Sequence, residues 1–254
     1  MLFTRAIVKT PCKNMVKGIT TANLGQPDYK LALKQHKNYI QALEQCGLKV
    51  IVLDPDENLP DSTFIEDACL ITPNCAIITN PGADSRKKET ISVGKAVQKL
   101  GMPLEEIQTP GTLDAGDIMM VKNHYYTGLS ERTNSEGALQ LNNILKKYQL
   151  TSSTITLENV LHLKTGISYL ENNILLAFGE FLTKPELKEF NILKVDPDES
   201  YAANSVWING NVLVPKGFAK TKTMIENAGY KVIEVDVSEF RKLDGGLSCL
   251  SLRF

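Results

Sequence analysis

The stretch from Cys75 to Val121 reads CAIITNPGADSRKKETISVGKAVQKLGMPLEEIQTPGTLDAGDIMMV. "CAIITNP" is a short β-branched run closed by Asn and Pro, the signature of a strand. A polar turn with basic residues follows, and "TISVGKAVQKLG" then carries apolar residues at helical spacing. "LEEIQTPG" reads as a second strand. "TLDAGDIMMV" is an acidic, glycine-containing loop that runs straight into a third, strongly apolar strand.

The same order recurs on either side of this unit. Before it come strand "RAIVKTP", helix "DYKLALKQHKNYIQALEQCG", strand "LKVIVLDP" and loop "DENLPDSTFIEDACLI". After it come "HYYTGLSERTN", helix "SEGALQLNNILKKYQ", "SSTITLE" and "NVLHLKTGISYL". A fourth unit has "NNILLAFGEF", a short polar link in place of a helix, "FNILKVDP" and "DESYAANSVWI". The fifth has "GNVLVPKGFAKT", helix "KTMIENAGY", "KVIEVDV" and "SEFRKLDGGLSCLSL". In the first helix Leu31, Tyr39, Ile40 and Leu43 fall on one face, and Gly47 is placed to cap its C-terminus. Regular recurrence of one strand–helix–strand–strand unit predicts an α/β repeat architecture rather than an ordinary alternation of elements. Such units stack into an open solenoid or close into a propeller. A solenoid carries a stricter consensus, so closure is the favoured reading. Residues 1–254 are expected to be a single domain of five repeats.

Composition narrows the function. The net charge of −1 disfavours nucleic acid or an anionic membrane surface as the main partner, since phosphate binding needs a basic excess. No apolar run approaches the ~20 residues of a membrane span, and the N-terminus lacks the apolar core and cleavage site of a signal peptide. The cysteines, Cys12, Cys46, Cys69, Cys75 and Cys249, are odd in number and form no CxxC pair. With only three histidines besides, a structural zinc site is not expected, and a reducing, cytoplasmic setting is.

The chemically capable residues follow the repeat. Glu66, Asp114, His162, Asn204 and Cys249 stand after the second strand of successive units, at intervals of 48, 48, 42 and 45 residues. Units arranged about an axis would bring these positions together. Cys249 taken alone reads as a small buried hydrophobe. After "GG", in register with two acids and an imidazole, it reads as a nucleophile, because the two glycines allow the backbone a close approach or a positive φ. A base for it must be His36, His124 or His162. His36 sits beside lysines on a helix and is expected to be exposed, and His124 is expected at a turn. His162 lies between leucines, where a carboxylate could tune it.

Asp114 and Asp117 enter an apolar strand and so need partners, as do Asp61, Glu66 and Asp67 in "DSTFIEDA". Several carboxylates facing one cavity suit a cationic ligand. Arg86 and Arg132, at the starts of two helical stretches, could hold a carboxylate in bidentate fashion. A ligand with a cation at one end and a carboxylate at the other fits both sets.

"PDSTFIEDA", "GADSRKKET", "PGTLDAGDIMM", "SERTNSEGA", "LHLKTGISYL", "ESYAANSVW" and "LDGGLSCLSLRF" together resemble the dimethylarginine dimethylaminohydrolase family, particularly its bacterial members, over essentially the whole chain. The resemblance implies a five-bladed α/β propeller of ββαβ units. It implies hydrolysis of Nω-methylated arginine, mono- or dimethylated, to citrulline and a methylamine, without metal or organic cofactor. It implies Cys249 as nucleophile, His162 as general acid/base and Asp114 as the acid orienting His162. Asp67 and Glu66 would grip the guanidinium, and Asp61 with the backbone of Ile19 would meet the α-amino group. Arg86 and Arg132 would take the α-carboxylate, and Leu243 would line the pocket. Two positions depart from the bacterial pattern: Asp114 stands where those relatives carry Glu, and Lys87 where an arginine is expected. The exposed rim of a propeller could support a homodimer. Two other readings are an arginine deiminase of the same superfamily, which typically carries an inserted helical domain, and a silent binding protein, for which a thiol would be unnecessary.

Overall fold

The computed structural model describes residues 2–254. The first unit contains β1 (Arg5–Lys9), helix α1 (Tyr29–Gln45) and β2 (Lys49–Leu53); the second contains β3 (Cys69–Ile71), β4 (Ala76–Ile78), α2 (Glu89–Gln98) and β5 (Leu104–Glu106). The third has β6 (Ile118–Val121), β7 (His124–Leu129), α3 (Ser135–Lys147) and β8 (Thr151–Thr156). A one-turn helix α4 (Leu163–Gly166) leads into β9 (Ile167–Tyr169), β10 (Ile174–Ala177) and β11 (Asn191–Lys194). The fifth has β12 (Val206–Ile208), β13 (Asn211–Pro215), α5 (Ala219–Asn227) and β14 (Lys231–Val235), followed by the short α6 (Ser238–Arg241) and β15 (Leu252–Arg253).

These strands form five three-stranded sheets: β15-β1-β2, β3-β4-β5, β6-β7-β8, β9-β10-β11 and β12-β13-β14. In each, the first strand is antiparallel to the second and the second is parallel to the third. A parallel pair needs a crossover, which the helices supply. The fourth unit crosses over with two 3-10 turns, Gly179–Leu182 and Pro185–Leu187, where the sequence showed only a polar link.

The chain closes on itself. Ile7 of β1 pairs with Leu252 of β15, and the Phe254 N–H donates to the Arg5 carbonyl at 2.9 Å. The apolar cores are shared between neighbouring units. Ile7, Leu252, Ile71 and Val93 join the first to the second, and Ile77, Leu113, Leu141 and Leu145 the second to the third. Met119, Ile155, Ile167 and Leu175 join the third to the fourth, and Leu176, Leu170, Val212 and Val214 the fourth to the fifth. Ala6, Leu43, Leu213 and Val235 join the fifth back to the first. Every unit therefore buries both flanks against a neighbour, which an open stack cannot do at its ends. The fold is a five-bladed α/β propeller of repeated units. The first strands of the five sheets surround an axial cavity of ≈ 150 Å³.

Helix α1 shows how local sequence fixes a blade. The Asp28 carboxylate accepts the Leu31 N–H at 3.0 Å as an N-cap. At the other end Gly47 (φ 89°) turns the chain left-handed, with Gly47 N–H on the Glu44 carbonyl and Leu48 N–H on that of Leu43. The buried face carries Ala32, Gln35, His36, Tyr39, Ala42 and Leu43, whereas Leu31 is exposed. His36 thus faces the core, contrary to the expectation from its lysine neighbours, and burial pulls its pKa down to about 4. His124, expected at a turn, begins β7 and bonds Thr151 and Ser153. No helix among the described residues is long and apolar enough to cross a membrane.

Candidate active site

The five equivalent positions all fall on short helical turns just ahead of a first strand. Glu66 lies in the 3-10 turn Ile65–Ala68, Asp114 caps the turn Ala115–Asp117, and His162 caps α4. Asn204 ends the segment Pro197–Ala203, and Cys249 sits in the turn Ser248–Leu250. Such turns aim side chains at the axis while the following strands enter the blades. Two adjoining cavities, ≈ 380 and ≈ 60 Å³, meet there and share Thr21, His162, Asp244 and Cys249. The smaller one gathers Ile19, Asp61, Asp67, Arg86, Arg132 and Leu243 with His162 and Cys249. Glu66 borders the larger.

Asp114 is fully buried behind the imidazole: its Oδ2 lies 3.2 Å from His162 Nε2, and its Oδ1 accepts the Gly82 N–H at 2.9 Å. Asp67 accepts the Gly116 N–H at 3.0 Å and pairs with Arg86 at 2.5 Å. Buried Asp117 accepts from Ser130 Oγ and Thr133 Oγ1, each at 2.6 Å, and from the Leu163 N–H at 2.9 Å, so it fixes the residue after the histidine. Burial alone would push His162 down. Asp67, Asp114 and Asp117 outweigh it and hold the imidazole up at about 9, so it is protonated at neutral pH. Burial alone would raise Asp67, but the His162 and Arg86 charges hold it down at about 2.

The Cys249 thiol is in the opposite condition. Removal from water, then the negative charges of Glu66 and Asp67, push it up to about 12, against the Gly246 N–H, 3.4 Å from Sγ, and Lys164. The resting site therefore pairs a neutral thiol with an imidazolium. Glycine is required beside this thiol for space: a Cβ on Gly245 would meet Phe64 at 2.1 Å, and one on Gly246 would meet Asn204 at 2.5 Å.

The two arginines differ. Arg86 is buried, with Nε and NH2 on Glu89, NH1 on Asp67 and NH2 also on the Phe64 carbonyl at 3.0 Å. The guanidinium of the partly exposed Arg132 has no hydrogen-bonded partner among the described residues. Asp61 accepts the Ile19 N–H at 3.0 Å, and burial raises its pKa. The segment after Ile19 is tied down by Asp244, which accepts the Thr21 N–H at 2.6 Å.

Glu66 is held in a way the sequence did not reveal. Its Oε1 accepts from Lys164 Nζ at 2.6 Å and Arg253 NH2 at 3.1 Å, while Oε2 is buried with no partner among the described residues. Glu66 and Lys164 border both the larger of the two adjoining cavities and the axial cavity. Lys164, two residues from His162, and Glu89, three from Arg86, carried only the signal of their nearness to those residues. One oxygen each of Asp67 and Asp114 and one nitrogen of His162 lie within 4.8 Å of one another, a donor set of the kind that holds a cation. In this site Asp67 is paired to Arg86 and His162 bonds Asp114.

Known proteins share this fold. Residues 17–195 match the family model described as N,N dimethylarginine dimethylhydrolase, eukaryotic. The chain is 52% identical to the N(G),N(G)-dimethylarginine dimethylaminohydrolase of Pseudomonas aeruginosa, covering 100% of both, and 34% identical to that of Streptomyces coelicolor, covering 98% of this chain and 96% of the relative. It superposes with a TM-score of 0.98, at 52% identity and 100% coverage of both chains, on the C249S mutant of the Pseudomonas aeruginosa enzyme complexed with citrulline. The same TM-score, identity and coverage hold for a dimethylarginine dimethylaminohydrolase H162G adduct with S-methyl-L-thiocitrulline. On this full-length likeness in sequence and fold, the chain belongs to the dimethylarginine dimethylaminohydrolase family.

Proposed function

We propose that this protein hydrolyses Nω-methylated L-arginine, asymmetric dimethylarginine and monomethylarginine, to L-citrulline and dimethylamine or methylamine through a covalent intermediate on Cys249. The observation that carries the reading is the convergence at the axis of the Cys249 thiol, the His162–Asp114 pair at 3.2 Å and the buried carboxylates Glu66 and Asp67 around two adjoining cavities. Burial, then Glu66 and Asp67, favours the neutral thiol, whereas Asp67, Asp114 and Asp117 favour the imidazolium. A cationic guanidinium lying against Asp67 and the free Oε2 of Glu66 neutralises the charges that keep the thiol protonated, so substrate binding itself favours the thiolate.

The steps then balance. As the guanidinium binds, Cys249 releases its proton to solvent, since His162 already carries one; the thiolate attacks the guanidinium carbon, the C–N bond to dimethylamine breaks, and His162 gives its proton to the leaving nitrogen. A thiouronium remains on Cys249. His162, now neutral, takes a proton from water, the hydroxide adds to the same carbon, and the C–S bond breaks to release citrulline, the added hydroxyl's proton returning to the Cys249 sulfur so that the neutral thiol and the imidazolium are both restored. Asp114 keeps the imidazole aligned. Arg132 meets the α-carboxylate, with Arg86 beside it holding Asp67 in place, and Asp61 and the Ile19 backbone meet the α-amino group. Leu243 lines the aliphatic part. No step calls on a metal or organic cofactor.

The wider reading is of one catalytic domain over residues 1–254 acting on a small molecule, in the cytoplasm. Five free cysteines fit a reducing compartment. A homodimer is part of the proposal: the sheet edge at β2 exposes Val52, and covering such an edge is a common use of association. Sedimentation tests it. The function is tested by incubating arginine, monomethylarginine and dimethylarginine side by side. Citrulline is expected from the two methylated substrates; citrulline and ammonia from arginine alone would make the protein a deiminase.

A further inference from the structure

Of the five equivalent axial positions, Asn204 is the one the chemistry above leaves without a role. It is buried, and all its amide hydrogen-bonding atoms are spent on the protein. Its Oδ1 accepts the Ser248 N–H at 2.9 Å; its Nδ2 donates to Ser248 Oγ at 3.0 Å and to the Lys164 carbonyl at 2.9 Å. Ser248 directly precedes Cys249, and Lys164 is two residues beyond His162. One planar amide therefore grips the nucleophile's turn twice and the loop of the acid/base once. Its plane also packs on Gly246, whose N–H points at the Cys249 sulfur.

We propose that Asn204 is a positioning residue that sets the Cys249–His162 geometry and thereby the rate of attack, without itself binding substrate; this rests on the hydrolase reading above. Only an amide meets all three partners here, with one acceptor and two donors on a rigid plane. A carboxylate cannot donate to the Lys164 carbonyl, and an apolar isostere strands the Ser248 N–H in a buried site. Attack requires the sulfur within a narrow range of the guanidinium carbon while the imidazole reaches the leaving nitrogen. Small misplacements of that kind cost rate far more than binding.

The test uses Asn204→Ala and Ser248→Ala in the full chain, with kcat expressed per Cys249 titrated by a thiol-reactive amidine. For Asn204→Ala the expected result is a kcat lowered about 10- to 100-fold, a KM within about threefold of wild type and an unchanged affinity for citrulline. Ser248→Ala, which severs one of the three bonds, is expected to fall less. The double variant is expected to be little worse than Asn204→Ala, because both act through the same turn. A raised KM with normal kcat overturns the proposal, since Asn204 would then be contacting substrate. A normal kcat per titrated site, with only a lower melting temperature, overturns it in favour of a purely structural role. If wild-type protein released no citrulline from dimethylarginine, the hydrolase reading would fail. The rate of Cys249 labelling by the amidine, slowed in Asn204→Ala if the clamp positions the sulfur and unchanged if it does not, would still decide the role of Asn204.

Discussion

Asp114 Oδ2 lies 3.2 Å from His162 Nε2, and the carboxylate is fully buried with its other oxygen held by the Gly82 N–H. Asp114 thus reaches the imidazole directly from its place as N-cap of the turn Ala115–Asp117. Asp114→Asn removes the charge and keeps the shape. It should lower kcat by about 10²-fold, in the range of a lost general acid–base contribution, with a smaller change in KM. Steady-state kinetics on dimethylarginine check this, and an unchanged kcat would remove Asp114 from the mechanism.

The raised pKa of His162 gives a pH prediction with a definite sign. Leaving-group protonation needs the imidazolium, so kcat/KM, which reports the free enzyme, should decline as pH rises through about 9, and the His162→Gly variant should lack that limb. The same shift acts on stability. The folded value lies above the unbound reference of 6.5, so proton binding favours the fold fully below about 6.5, and this contribution is lost as pH rises through about 9. A pH series of melting temperatures for wild type and His162→Gly checks it.

Cys249 should be a poor nucleophile in the free protein and a good one only beside a cation. Neutral iodoacetamide should label it slowly at pH 7 and faster with increasing alkalinity, because its thiol is held up at about 12. A cationic thiol-reactive amidine should label it faster than a neutral reagent of equal intrinsic reactivity. Equal rates for the two would contradict activation by the substrate's charge.

The arginines should separate in their effects. Arg132→Ala should raise KM by at least tenfold with little loss of folding stability, since its guanidinium has no protein partner among the described residues. Arg86→Ala should lower stability by ~3–5 kcal/mol, because it leaves the buried Asp67 and Glu89 uncompensated. Glu89, raised by burial to about 7, is the group expected to take up a proton in that variant. Denaturant melts and kinetics on both variants separate the two effects.

Removing Ser251–Phe254 should cost folding as well as activity. The deletion takes away β15 and the ion pair of Arg253 with Glu66. A truncated protein with wild-type melting behaviour would mean that the ring does not depend on its closing strand. Exhaustive dialysis against a chelator, by contrast, should leave the rate unchanged, since the proposed steps use only side chains and water.

Much of this was legible in the sequence because the fold is periodic. The segment Cys75–Val121 shows the whole unit, and its recurrence places Glu66, Asp114, His162, Asn204 and Cys249 at one level of the ring before any distance is known. Contacts between units are another matter. Glu66 meets Lys164 and Arg253, 98 and 187 residues away, and no local pattern links them. The full engagement of Arg86 by Glu89 was hidden because an i,i+3 pair reads equally well as a solvated helix surface. The burial of His36 was missed for a related reason: flanking lysines suggest water, but Ala32, Tyr39 and Leu43 set the buried face. Asn204 stood in register with the others, yet its task depends on two backbone groups that only the closed ring brings within reach.

The central claim is covalent hydrolysis at Cys249, and mass spectrometry of a quenched reaction with dimethylarginine tests it most directly. The expected result is citrulline and dimethylamine in equal amounts, a transient adduct on the Cys249 peptide that accumulates in His162→Gly, and no product from Cys249→Ser. Citrulline released by Cys249→Ser at the wild-type rate, or ammonia in place of dimethylamine, would contradict it.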